Sequence, residues 1–191
     1  MTAMLNEIYK RLIGLILKPG ETWEQLSLQE EEHDRFLSHF IYPLIGLVAL
    51  SAFLGILFTR KEFDFEVALK ITIRTLVSVA GGFALGAYFL NEVWKSVFKQ
   101  PANVVFCRLF VGYSSALMFV LNIVTALLPE FFFLQIFVLY TVYIIWEGSI
   151  AFMKIKEDMK LKFTVFASFI VIATPFVIEQ ALRILMPGFR I

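Results

Sequence analysis

A chain of 191 residues in which 59% are hydrophobic and 17% charged carries more apolar side chain than one soluble core of that size can hide. Its net charge of +1 excludes the strongly basic face that nucleic-acid binding needs, and a lone Cys107 excludes both an internal disulfide and a cysteine-built metal cage. The apolar surplus requires a hydrocarbon solvent, in keeping with a mean hydropathy of +0.79.

At the N-terminus, Glu7, Lys10 and Arg11 precede only a short apolar stretch, Leu12 to Leu17, and no small-residue cleavage site follows, so a removed signal peptide is not expected. Leu5, Ile8, Leu12, Leu15 and Ile16 recur at helical spacing with Glu7, Lys10, Arg11 and Lys18 opposite. That pattern predicts an amphipathic helix, lying flat on the cytoplasmic surface or docked beneath the rest of the protein. Glu21 and Glu24 suit the positive start of a second helix after Pro19, ahead of the acidic run Glu30, Glu31, Glu32, His33 and Asp34. Residues 1–38 therefore read as a cytoplasmic segment.

Beyond it, charge-free windows parse the chain, because a Lys, Arg or Asp at the bilayer centre costs roughly 2.5–3.5 kcal/mol and about 20 apolar residues cross the hydrocarbon. They predict an all-α polytopic integral membrane protein with five spans, near residues 39–59, 71–91, 107–128, 131–153 and 162–180 of a single domain 39–186, followed by a short external tail 187–191. The windows FIYPLIGLVALSAFLGILF and FFFLQIFVLYTVYIIW have no polar face at any rotation, which excludes a soluble bundle. Pro129 and Glu130 predict a tight turn outside the membrane, with a re-entrant pair or one bent unit as the other arrangements. Eleven of the 17 Lys and Arg fall on the side of the N-terminus when the spans alternate, so that end is expected in the cytoplasm and the C-terminus outside.

Small residues mark close helix packing. Ser51 with Gly55 in the first span and Gly82 with Gly86 in the second each form a small-xxx-small pattern, and the two spans are expected to pack together through them, with homo-oligomerisation as the alternative. Ionisable groups near the bilayer are the functional suspects. Glu147 either sits near the headgroups, paired with Arg108 or a loop lysine, or relays protons or cations. Asn122 and Gln135 either line a cavity with it or bond between helices, and Arg74 and Glu179 fall at similar depth and form a structural ion pair, with Arg183 as an alternative partner. His33 and His39 do not share a helical face, so no metal is expected; no cofactor is implied, and the absence of HExxH, P-loop or GxSxG patterns argues against an enzyme. Phe131 to Phe133, Tyr140, Tyr143 and Trp146 suit lipid contact and interface anchoring.

The string Lys18, Pro19, Gly20, Glu21, Thr22, Trp23 after an amphipathic start, the glycine-rich second span, Val111, Gly112, Tyr113, Ser114 in the third, and Gly148 followed by Met153 and Lys154 resemble the Yip family. The resemblance implies five membrane helices, a cytosolic N-terminus and a lumenal or external C-terminus. The Asp-Leu-Tyr-Gly-Pro-like motif of eukaryotic members is absent, so binding of Rab GTPases is not implied. Also missing are the prolines that follow the Tyr-Ser pair and the fourth-span glycine, so a proline-kinked cavity is not expected. The chain looks like the compact bacterial branch, which implies the cytoplasmic membrane. The reading that follows is a non-enzymatic membrane protein that organises membrane or recruits a protein partner at the cytoplasmic face. A small transporter or channel using Glu147, Asn122 and Gln135 is the alternative.

Overall fold

A computed structural model describes residues 2–29, 33–59 and 63–185. The side chains of residues 30–34, with them His33, together with Arg60, Lys61 and the tail 187–191, lie outside the described residues. Two short helices come first, α1 (Thr2–Leu17) and α2 (Pro19–Leu28). A helical turn α3 (His33–Phe36) then passes through a wider π turn (Leu37–Ile41) into α4 (Tyr42–Thr59). α5 (Phe65–Ser96) follows, then α6 (Val104–Ser114) and α7 (Ala116–Leu127). A 3-10 segment (Pro129–Leu139) leads into α8 (Tyr140–Ala151), and α9 (Glu157–Leu185) ends the described chain.

Leu37–Phe58, Phe65–Ser96, Pro129–Ala151 and Glu157–Leu185 are each long and apolar enough to cross a membrane. α6 and α7 are long and apolar enough only when taken together, bent by 44° at Ser115, so the described residues hold four such helices, or five if this bent pair is one span. No proline causes that bend. Ser115 follows Gly112 and Ser114, and its hydroxyl donates to the Val111 carbonyl at 2.8 Å, so small residues and a back-bonding side chain replace regular helix there.

The second and fifth spans overrun the charge-free windows at both ends. Charges that ended those windows are met on the helix itself: Lys70 pairs with Glu66, and Lys95 Nζ lies 2.7 Å from Glu92 Oε1. Asp64 caps α5 by accepting from the Val67 N–H at 3.1 Å, which lets the helix begin six residues before the expected boundary.

α5 and α9 lie antiparallel, as four levels of contact record: Arg74 beside Glu179, Gly82 under Pro175, Gly86 beside Ile170, and Trp94 against Phe163. From Arg74 to Trp94 is 20 helical residues, ~30 Å, the thickness of the hydrocarbon core. Large apolar side chains remain exposed along the spans, among them Leu85, Tyr88 and Phe89 on α5, Phe132 before α8 and Phe169 on α9. Such a belt is what acyl chains cover. The aromatic core gathers at the opposite end, where Trp23, Phe36, Phe40, Phe110, Tyr113 and Phe163 are all fully buried.

Candidate functional site

The N-terminal helices pack against the bundle. Ile8 and Leu15 are buried, Leu12 and Ile16 pack on the same core, and Tyr140 Oη donates to the Ile16 carbonyl at 3.0 Å. Leu5, expected on the inner face, is exposed, as are Tyr9, Ile13 and Leu17. Arg11 departs from the amphipathic pattern too. Its guanidinium turns inward, donating through Nη1 to Tyr113 Oη and through Nη2 to Glu7 Oε1 at 2.7 Å. A long aliphatic stem lets the head reach a phenol that a helical-wheel reading places out of range.

Pro19 opens α2 as a first-turn residue, where its missing N–H costs nothing. One turn on, Trp23 is fully buried. Its Nε1 donates to the Ile144 carbonyl of α8 at 2.9 Å, and its ring stacks on Phe110 at 5.2 Å, meets Tyr113 edge-on at 6.1 Å and leans on Phe152 at 5.2 Å. Gly148 is what admits it: a Cβ there would lie 2.6 Å from Trp23 Cε2. Gly112 does the same for the neighbouring ring, since its Cβ would lie 2.5 Å from Phe36 Cζ. Thus Pro19, Trp23, Gly112, Tyr113 and Gly148 converge on one junction between α2 and the membrane domain.

Glu147 belongs to that junction. Its Oε2 lies 3.2 Å from where a Cβ on Gly20 would be, over the first turn of α2, where the helix dipole favours a carboxylate by ~0.3–1 kcal/mol. Among the described residues no ion pair joins it to Arg108 or a loop lysine. Trp146 beside it takes Lys160 Nζ over its ring at 4.2 Å, as an interface anchor would. Between α2, α6 and the end of α8 lies a hollow of about 300 Å³, with Leu26, Phe106, Tyr113 and Lys154 in its wall.

Asn122, Gln135, Arg74 and Glu179 assemble elsewhere, around a cavity of about 1210 Å³ toward the other end of the bundle. Gln135 Nε2 donates to Thr125 Oγ1 at 2.9 Å. Glu179 Oε1 lies 3.7 Å from Arg74 Nε and 2.7 Å from Arg183 Nη2, so one carboxylate serves both guanidiniums. Gln135 and Glu147 are twelve residues apart along the fourth span, ~18 Å at helical rise, and Glu147 is not among the cavity's lining residues.

The small-residue patterns take different partners from those expected. α4 and α5 are neighbours, but Gly55 faces α7, its Cα pressed on the Ala126 carbonyl, while Ser51 donates to Leu47 O of its own helix at 2.7 Å. Gly82 receives the Pro175 ring of α9; Gly86 meets Val111 and Ile170 at ordinary contact distance.

A protein-family model, the Yip1 domain, matches residues 13–178. The chain belongs to the Yip family. No curated protein and no solved structure matches it. In this Yip-family protein the matched segment begins inside α1 and ends inside α9, so it takes in α2, Trp23 and Gly148 as well as most of the apolar bundle. The docked N-terminal helix α2 is therefore part of the family's own unit. Sequence reading missed Arg11, Pro175 and the Ser115 bend. Of these, only Pro175 carried a signal, as a proline inside an apolar span.

Proposed function

We propose that this Yip-family membrane protein is a non-enzymatic organiser that recruits a protein partner at its N-terminal face, with that face in the cytoplasm and the C-terminus across the membrane. What carries the reading is the rigid seating of α1 and α2. Trp23 in the slot made by Gly148 fixes α2 while leaving Glu21, Glu24, Gln25 and Leu28 outward, next to the 300 Å³ hollow. A surface held this way is preorganised, so a partner that docks on it does not have to order it first. The bias of eleven bases out of 17 toward this end supports its cytoplasmic placement.

A photo-crosslinking residue at Glu24 or Leu28, activated in native membranes, is expected to recover the same protein repeatedly. Trp23→Ala should cut that yield more than tenfold, since deleting a buried Trp side chain costs ~3–5 kcal/mol of docking energy. Recovery of lipid alone from both positions would overturn the proposal.

A further inference from the structure

α1 has three faces, and the bundle accounts for only one of them. Ile8, Leu12 and Leu15 lie within ~60° of one another around the helix axis and pack on the core. Beside them Leu5, Tyr9 and Ile13 follow at four-residue spacing, cover a further ~80°, and are all exposed. Beyond that arc come Asn6 and Lys10, also exposed, with Leu17 among them at the last position of the helix. The apolar arc of α1 is thus wider than the surface the bundle offers it. The level at which α1 is held says what covers the rest. Lys160 Nζ over the Trp146 ring marks the edge of the hydrocarbon at this end. Tyr140 stands six residues before Trp146, ~9 Å further into the membrane, and its Oη holds the Ile16 carbonyl. Tyr140 in turn packs on Tyr143, with ring centroids 5.4 Å apart, and Tyr143 and Leu139 are exposed on the belt of the fourth span that acyl chains cover. α1 also packs on α7, which lies past the Ser115 bend as seen from this end. The exposed arc of α1 therefore continues the lipid-facing belt.

We infer that α1 is set into the membrane surface as an interfacial helix. Leu5, Tyr9 and Ile13 insert among the acyl chains of the leaflet at this end, Ile8, Leu12 and Leu15 lie against the bundle, and Asn6 and Lys10 face water. The cover of the middle arc is lipid rather than a second copy or another protein, because the arc runs on from a surface that acyl chains already cover. A helix placed in this way occupies area in one leaflet only. The surface is separate from the outward side of α2, and its test does not depend on the partner-recruitment reading.

In a Cys107→Ala background, Asn6→Cys, Tyr9→Cys, Lys10→Cys and Ile13→Cys are each spin-labelled in the full chain, reconstituted in nanodiscs of phosphatidylglycerol and phosphatidylcholine. Phe169→Cys on the exposed belt of α9 gives the reference for lipid, and Glu24→Cys the reference for water. All these positions are exposed, so the label does not disturb the core. Collision with oxygen, which dissolves in acyl chains, is compared with collision with a neutral nickel chelate, which stays in water. Oxygen is expected to dominate at positions 9 and 13, as at 169, and the chelate at positions 6 and 10, as at 24. Access of the chelate to 9 and 13 equal to that at 6 and 10 would mean that water covers the arc, and would overturn the inference. Low access of both reagents to 9 and 13 would overturn it equally, with spin–spin broadening then identifying a second copy as the cover.

Discussion

Gly82 and Gly86 occupy equivalent places in one sequence pattern, yet only Gly82 is sterically required. A methyl on Gly82 would lie 2.5 Å from Pro175 Cγ and 2.9 Å from its Cα, whereas on Gly86 it would find Val111 at 3.5 Å and Ile170 at 3.9 Å. Gly82→Ala should therefore cost ~1–3 kcal/mol through overpacking, while Gly86→Ala stays close to neutral. Thermal unfolding of the two variants in detergent checks this, and equal melting points would refute it. At this scale the sequence was readable in kind and not in detail. A glycine stripe says that a backbone comes close; which glycine meets a proline ring depends on a helix about 90 residues further on. Arg11 teaches the same lesson, because its reach to Tyr113 depends on a fold that brings positions 11 and 113 together.

Two helix ends are closed by lysine in the left-handed region, Lys99 at φ 55° and Lys154 at φ 53°. Each is followed by a hydrogen bond that wraps the helix terminus, Gln100 N to Trp94 O at 3.2 Å and Ile155 N to Ser149 O at 3.0 Å. Glycine is the usual residue there, since a side chain in that conformation costs roughly 1–2 kcal/mol. Lys154→Gly should raise the stability of the protein by about 1 kcal/mol, seen as a higher melting temperature; a lower one would show that the lysine side chain matters more than its backbone strain. Element boundaries were legible where an apolar run ended in a turn signal, as at Pro129. They were not where a helix carried its charges out of the bilayer in i, i+4 pairs, as α5 does with Glu66 and Lys70. The bend at Ser115 was hidden for another reason: serine and glycine permit a kink without announcing one.

For the molecule as a whole, composition alone identified the solvent, because no soluble core accommodates 59% hydrophobic residues in 191. The separation of candidate residues into two ends was not legible. Glu147 shared a span with Gln135, and nothing in the spacing said that one would meet α2 and the other a cavity. The sidedness proposed above rests on the distribution of bases, and single cysteines test it. In a Cys107→Ala background, where a buried thiol is replaced by another small apolar side chain, Glu24→Cys and Ile184→Cys place a thiol at either end, both at exposed positions. A membrane-impermeant maleimide added to intact cells should label position 184 at once and position 24 only after permeabilisation. The reverse pattern would invert the topology.

Trp23 rests on Gly148 and hydrogen-bonds to Ile144, so its binding slot is made of chain synthesised much later. With 125 residues between the two positions, a ribosome working at about 5–20 residues per second leaves α2 without its seat for about 6–25 seconds. During that interval α1 already has α7 to pack on and Tyr113 for Arg11 to reach, while α2 still lacks the helix that takes Trp23. The front end of the protein is thus locked last, when α8 supplies Gly148 and the Ile144 carbonyl to Trp23.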